Sequence, residues 1–192
     1  MEQMPLDSKS PNELSAPGLN QNAIKHGLIL AAISIVLTLA YYSIDYTLLA
    51  TIKIGLLSLA IFIGYGIYAG IAFRKEIGGY MSFKHAFLHG FIVFAFSALI
   101  STVFNLLLYT VIDPELGQKL TDVSVQNAEE MMRGFGMPED QMDEAVEKAR
   151  VDAANRYTVG GLALGYVWAL IGCAIFALIS GAIVKKKQPV GF

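Results

Sequence analysis

The chain has 192 residues, of which 55% are hydrophobic and only 16% are charged. Soluble domains carry about 25% charged residues, and here the charges cluster between long uncharged runs, so the composition indicates an integral membrane protein. The net charge of −2, with no basic stripe containing interleaved aromatic residues, argues against nucleic acid as a partner. The single cysteine, Cys173, excludes an intrachain disulfide and any Cys-x-x-Cys motif.

The first part of the chain predicts a tail and two membrane spans. Residues 1–22 contain three prolines and few large apolar side chains, so we expect a disordered cytoplasmic tail. The first span is predicted over about 27–43 and the second over about 54–73, both within the length range of membrane-spanning helices. A cleaved signal peptide is the alternative for the first apolar run. The long polar tail before this run and the tyrosines at its end favour an uncleaved span.

The third span is predicted to begin before the membrane core. Gly90–Ile112 is 23 residues long and uncharged, so as a helix it covers about 35 Å, more than the bilayer core of about 30 Å. Ser82 is a candidate N-cap, which starts the helix near Phe83 and places the span at about 85–112. Asp113-Pro114 is predicted to end it, because proline cannot continue a helix.

A polar stripe runs along this third span. Ser97, Ser101 and Asn105 recur at every fourth residue. Two interpretations are open: the stripe packs against the other spans through interhelical hydrogen bonds, or it lines a solute pathway. The predicted spans contain no Asp, Glu, Lys or Arg, the residue types that usually mark ion and proton routes, and this favours packing.

The segment between the third and fourth spans, residues 113–156, is acidic. It has eleven Asp and Glu against five Lys and Arg, and no run long enough to cross a membrane. Apolar residues at helical spacing predict two short amphipathic helices, separated near Gly134 and Gly136, that lie against the bundle end or the lipid interface. The fourth span is predicted over about 157–184 and ends at three lysines, with a short tail at 188–192.

Together these elements predict an all-α fold in which residues 23–187 form a four-helix membrane bundle with a helical extramembrane insert. The positive-inside rule places both termini in the cytoplasm and the acidic insert on the outward side. Small residues four apart let helices approach closely, so two glycine faces are candidates for packing or for a homo-oligomer. These faces are Gly66/Gly70 in the second span and Gly161/Gly165 in the fourth.

Two stretches carry a resemblance to a known family. KHGLILAAISIVLTLAYY in the first span and YMSFKHAFLHGFIVFAFSALISTVFNLLLYTVIDPEL across the third resemble the domain of unknown function 4199. The acidic insert and the lysine-terminated last span match its plan, so the resemblance covers about residues 23–187. It implies a small four-span membrane protein of a family found largely in Bacteroidetes. Because that family has no established activity, the resemblance supplies no catalytic residue.

Three groups of side chains are candidate sites, each with an ordinary alternative. His85 and His89 at i,i+4, with His26 near the same level, suit a divalent metal or a proton sensor, although interfacial histidines are usually solvated or hydrogen-bonded. The acidic residues of the insert suit calcium or a basic partner, but they lack EF-hand spacing and are typical of a solvated helix face. The insert methionines are expected to make apolar contacts rather than bind a soft metal. The acidic residues are Glu139, Asp140, Asp143, Glu144 and Glu147, and the methionines are Met131, Met132, Met137 and Met142.

Motifs of the common enzyme classes are missing from the sequence, including GxSxG, HExxH and phosphate-binding glycine loops. We therefore expect no catalytic residue, no cofactor and no metal site. The leading hypothesis is a non-enzymatic structural or interaction protein of the inner (cytoplasmic) membrane. Its expected partners are the lipid bilayer and either another protein or a second copy of the chain. The alternative is a small solute transporter or channel-like subunit that acts as an oligomer.

Overall fold

The structure is a computed structural model that describes residues 18–187 and contains six α-helices in that range. A 3₁₀ helix, Tyr46–Ala50, joins α1 to α2, and α3 continues as a π-helical turn over Leu108–Ile112. The helices are α1 Leu19–Ile44, α2 Ile52–Glu76, α3 Phe83–Leu107, α4 Leu116–Gly134, α5 Glu139–Arg156 and α6 Val159–Val184.

Four of the described helices are long and apolar enough to cross a membrane: α1, α2, α3 with its π turn, and α6. The predicted fold class, an all-α integral membrane protein, is confirmed. α1 begins earlier than the predicted span and includes residues 19–22, which the sequence assigned to the tail. Leu19 and Ala23 are buried there, so packing supports the first turns of the helix. The rest of that predicted tail, 1–17, and the tail at 188–192 lie outside the described residues.

The ends of α3 follow the predicted local signals. The Ser82 side chain caps the helix by accepting a hydrogen bond from the backbone N–H of His85 at 3.3 Å. Before it, Gly78 and Gly79 adopt φ angles of 98° and 87°, a left-handed conformation that favours glycine in a turn. At the other end the helical backbone stops at Asp113, directly before Pro114.

α3 is the central helix of the bundle, and its most extensive contacts are with α6 and α1. Glycines on the neighbouring helices let the backbones approach. A Cβ at Gly27 of α1 would lie 3.2 Å from the carbonyl oxygen of Val93, and a Cβ at Gly181 of α6 would lie 3.1 Å from the backbone nitrogen of Phe87. The buried residues in the middle of the bundle are Ala23, Leu30, Val93, Phe94, Cys173 and Ala177.

The end of the bundle that carries the start of α1 and the end of α6, here called the terminal end, is closed by backbone hydrogen bonds. Met81 and Lys186 each donate a backbone N–H to the carbonyl oxygen of the other at 2.9 Å. The Arg74 guanidinium donates to the carbonyl oxygen of Val184 at 2.6 Å. A cation on a terminal carbonyl also complements the negative end of the α6 dipole, so α2 and α6 are tied together here.

The opposite end, here called the hairpin end, carries α4 and α5, which pack on each other as a helical hairpin. Both helices occur where the sequence predicted amphipathic helices. Leu116 and Leu120 of α4 are buried with Leu108 at the end of α3. Tyr109 and Tyr157 meet edge to face beside them, with ring centroids 5.2 Å apart. The hairpin is therefore seated on the bundle through an apolar cluster.

Gly66 and Gly70 of α2 pack inside the chain. A Cβ at Gly66 would overlap the ring of the buried Phe94, and a Cβ at Gly70 would lie 2.8 Å from a methyl carbon of Val184. We expect Gly66→Ala to lower the free energy of unfolding by about 1–3 kcal/mol, because overpacking forces Phe94 to shift. Thermal unfolding in detergent micelles measures the effect.

Gly64→Ala is the matched control for this substitution. It lies two residues away on α2, and a Cβ there meets nothing within 4 Å. We expect it to unfold at or slightly above the temperature of the unsubstituted protein, since replacing a helical glycine by alanine favours the helix. Equal destabilisation by the two substitutions would contradict the packing role of Gly66.

Candidate functional site

α2 diverges from the bundle toward the hairpin end. Its buried residues all lie in its second half, at Gly66, Ala69, Gly70 and Phe73. From Ile52 to Tyr65 no residue is buried. A cavity of about 280 Å³ lies between this first half of α2 and helices α1 and α3.

The cavity has a polar but uncharged lining. Hydroxyl and amide groups come from α1, α2 and α3, whereas Leu37, Ile61 and Phe62 supply apolar walls. On α1, the Ser34 and Thr38 hydroxyls donate to carbonyl oxygens of their own helix at 3.0 and 2.9 Å, which satisfies their donors without a second helix. The polar lining residues are Ser34, Thr38, Tyr41, Ser58, Asn105 and Tyr109.

The predicted stripe on α3 divides between two environments. Ser97 is fully buried, and its hydroxyl has no hydrogen-bond partner among the described residues. Ser101 is half-buried, and it does not line the cavity. Asn105 lines the cavity, and its amide forms no hydrogen bond with another described residue. The three residues therefore do not form one continuous pathway.

The cavity is bounded at the hairpin end by the 3₁₀ helix. Leu48 and Leu49 of that helix belong to its lining. α4 lies against the same helix, where the Asn127 side chain donates to the carbonyl oxygen of Ala50 at 3.3 Å. Leu49 also packs on the apolar cluster beneath α4. The hairpin and the wall of the cavity are thus in direct contact.

A second polar cluster lies near the terminal end. His89 is fully buried, and its Nε2–H donates to Asn22 Oδ1 at 2.9 Å. Asn22 in turn donates through Nδ2 to the Glu76 carboxylate at 2.9 Å. The His89 ring stacks on Phe73, with centroids 4.9 Å apart. The Nδ1 atom of His89 has no hydrogen-bond partner among the described residues.

The three histidines do not converge on one site. His26 lies beside His89, with ring centroids 6.5 Å apart, and shares a hydrogen bond with the Tyr65 hydroxyl at 2.9 Å. His85 instead pairs with Ser82, with 3.2 Å between Nδ1 and Oγ. Within residues 18–187, no three His, Cys, Asp or Glu side chains are placed to hold one metal ion.

The insert carries exposed charges rather than a closed acidic site. Glu139, Asp143, Glu144 and Glu147 are exposed or half-exposed on α5, and the Asp140 side chain lies outside the described part of the chain. At the base of α4, the hydrogen bond to Glu115 raises the pKa of Lys119, and the nearby Asp113 acts in the same direction. Arg150 pairs with Asp122 at 2.9 Å and links α5 to α4.

The family model described as protein of unknown function (DUF4199) matches residues 25–186. The chain belongs to the DUF4199 family. The match runs through all four apolar helices and the hairpin, so the DUF4199 domain includes the cavity, His89 and Glu76, whereas Asn22 precedes the matched residues. No curated protein and no solved structure matches the chain.

Sequence reasoning identified Asn105 but missed the residues that surround it in the DUF4199 domain. Ser34 and Thr38 on α1 and Ser58 on α2 are hydroxyl residues inside otherwise apolar spans, and that pattern was visible in the sequence. It also missed Asn22 as the partner of His89, because the two lie 67 residues apart. Such pairs arise only from the way the helices pack.

We predict that Asn22→Ala destabilises the bundle. The substitution leaves the buried Nε2–H of His89 without its acceptor, and a buried unsatisfied donor costs about 1–3 kcal/mol. The neighbouring residue supplies the control, since Gln21→Ala removes a side chain of similar size and polarity without touching His89. Thermal unfolding in micelles measures both variants, and equal melting temperatures would contradict the role of Asn22.

Proposed function

We propose that this chain is a non-enzymatic protein of the inner membrane that contacts another envelope component through the α4–α5 hairpin. The observation that carries the proposal is an exposed apolar tip on a hairpin that is firmly seated on the bundle. The sequence supports the non-enzymatic part, since none of the common catalytic motifs occurs in it.

The seat of the hairpin makes it a fixed element rather than a loose loop. Leu116 and Leu120 are buried against α3, and Asn127 bonds the 3₁₀ helix about halfway along α4. The Arg150–Asp122 pair joins the two helices. A tip held in one place keeps a partner-binding surface ordered before the partner arrives, which lowers the entropic cost of association.

The tip itself exposes large apolar side chains. Phe135 is 84% exposed, and Met131, one turn before it, is 46% exposed. Gly136 follows with a φ of 75°, which turns the chain toward α5. Exposed aromatic and methionine side chains are common anchors in protein interfaces.

The charges around the tip indicate the partner's chemistry and the orientation of the chain. Acidic residues outnumber basic ones by six in residues 113–156, so a partner with a basic rim around an apolar pocket is complementary.

Basic residues mark the opposite end of the bundle, since Arg74, Lys185 and Lys186 lie at the terminal end. By the positive-inside rule this supports cytoplasmic termini and an outward hairpin.

A second copy of the chain is a further proposed partner, and packing limits where it can bind. The Gly66/Gly70 face is occupied within the chain by side chains of α3 and α6. In α6, Gly165 is exposed, and a Cβ at this position would meet nothing within 4 Å. Trp168, one turn further along, is 66% exposed. The Gly165 end of the Gly161/Gly165 face therefore has better support as an oligomer contact.

A photo-crosslinking residue at position 135 tests the hairpin contact in intact cell membranes. With p-benzoylphenylalanine in place of Phe135, we expect light-dependent adducts with one specific protein, because the side chain projects from the tip. Asp143→Asn together with Glu147→Gln should weaken the adduct if a basic rim recognises the hairpin.

The same label at Leu164 is the matched control. That side chain is 59% exposed but lies on a membrane-spanning helix beside Gly165, so it should label lipid, or a second copy of the chain if α6 forms the oligomer contact, and not the partner of the hairpin. Adducts with lipid only from position 135, or the same protein adduct from both positions, would contradict the hairpin contact.

A further inference from the structure

We propose that the cavity between α1, α2 and α3 is a binding site for a small uncharged polyhydroxy group. This site goes beyond the hairpin contact, since it lies within the membrane-spanning helices and uses other residues.

The polar lining lies at a depth where water is scarce. Asn105 precedes the end of the π turn at Ile112 by seven residues, and Ser58 follows the start of α2 by six. At 1.5 Å per residue, both lie about 9–11 Å below the helix ends at the hairpin end, within a hydrocarbon core of about 30 Å. Polar groups at this depth are costly unless they find a partner.

Four of the six polar lining side chains have no hydrogen-bond partner in the described part of the chain: Tyr41, Ser58, Asn105 and Tyr109. The Asn105 amide and the Ser58 hydroxyl form no hydrogen bond with another described residue. An amide offers two donors and an acceptor, and a hydroxyl offers one donor and accepts in turn. Both groups line the same cavity between α2 and α3, so one molecule bound there can form hydrogen bonds with both.

The lining selects the chemistry of that molecule. No charged or histidine side chain lies among the lining residues, so an ion would lose its hydration without a counter-charge. Hydroxyl and amide groups suit neutral hydroxyls, and the walls of Leu37, Ile61 and Phe62 suit the carbon chain that carries them. The cavity of about 280 Å³ has room for one small polyol or for several waters.

Access to the cavity is coupled to the hairpin. Leu48 and Leu49 stand between the polar lining and the hairpin end, and α4 holds their helix through Asn127. Movement of α4 would displace these leucines. The seated hairpin thus holds these leucines in place at the end of the cavity nearest the hairpin.

Alkylation of a single cysteine tests the site in proteoliposomes of the full chain. The buried Cys173 is replaced by alanine, and Gly55→Cys places a thiol in the lining, where a Cβ meets nothing within 4 Å and both Asn105 and Ser58 are retained. We expect N-ethylmaleimide to modify it. Xylitol at ten times its dissociation constant should slow the reaction about tenfold, because roughly one site in eleven is then free. Gln126→Cys, exposed on α4, controls for effects of xylitol on the reagent.

Two further variants identify the binding group. Asn105→Leu should abolish protection, and Ser34→Ala should weaken it, which covers the case in which the first variant fails to fold. Ser101→Ala, on the same stripe but outside the lining, should leave protection unchanged.

Leu48→Ala tests access to the cavity and should speed alkylation. The same change at Leu39, which is 38% exposed on α1 and outside the lining, should not.

A parallel arm distinguishes a soluble polyol from a lipid hydroxyl. Proteoliposomes of phosphatidylcholine are compared with vesicles that also contain diacylglycerol, without xylitol. Protection by xylitol or by diacylglycerol supports the polyhydroxy site and shows whether the ligand is a soluble polyol or a lipid hydroxyl. A thiol at position 55 that is never modified, or that is modified at a rate neither compound changes, overturns it.

Discussion

The close packing of three helices on α3 is the interaction on which the rest of the structure depends. Lipid gives membrane helices little hydrophobic reason to associate, so contact must come from tight packing and a few polar bonds. Gly27 and Gly181 let the backbones of α1 and α6 reach α3, and Gly66 lets α2 fit against Phe94. These positions fix the point and the tilt of each crossing.

The same crossings decide where the helices separate. The buried residues of α2 all lie in its second half, where Arg74 also binds the end of α6. Its first half therefore leaves space, and Asn105 faces that space rather than a neighbouring helix. At the other end the helices are close enough to bury His89 against Asn22. The uneven burial along α2 therefore accompanies a compact polar cluster at one end of the bundle and a cavity at the other.

The hairpin gives the bundle an element that reaches beyond the membrane. Its base shares an apolar cluster with α3, its middle bonds the 3₁₀ helix, and its tip exposes Phe135. The 3₁₀ helix is also a wall of the cavity. A partner that binds the tip would therefore also affect the cavity, because α4 contacts the cavity wall. This contact links the proposed hairpin interaction to the proposed binding site.

The sequence alone determined that this is an all-α membrane protein with helices in the insert. It also determined the ends of α3 at Ser82 and Asp113. These features depend on segment length, hydropathy and helix capping, which act over a few neighbouring residues. Tertiary structure alone decided that Gly66 packs on Phe94, that His26 of α1 lies beside His89, and that Asn105 borders a cavity. The spans are apolar around most of their circumference, so no periodic signal shows which face meets a neighbour. Helix tilt and rotation supply that information, and they emerge only when all four spans pack together.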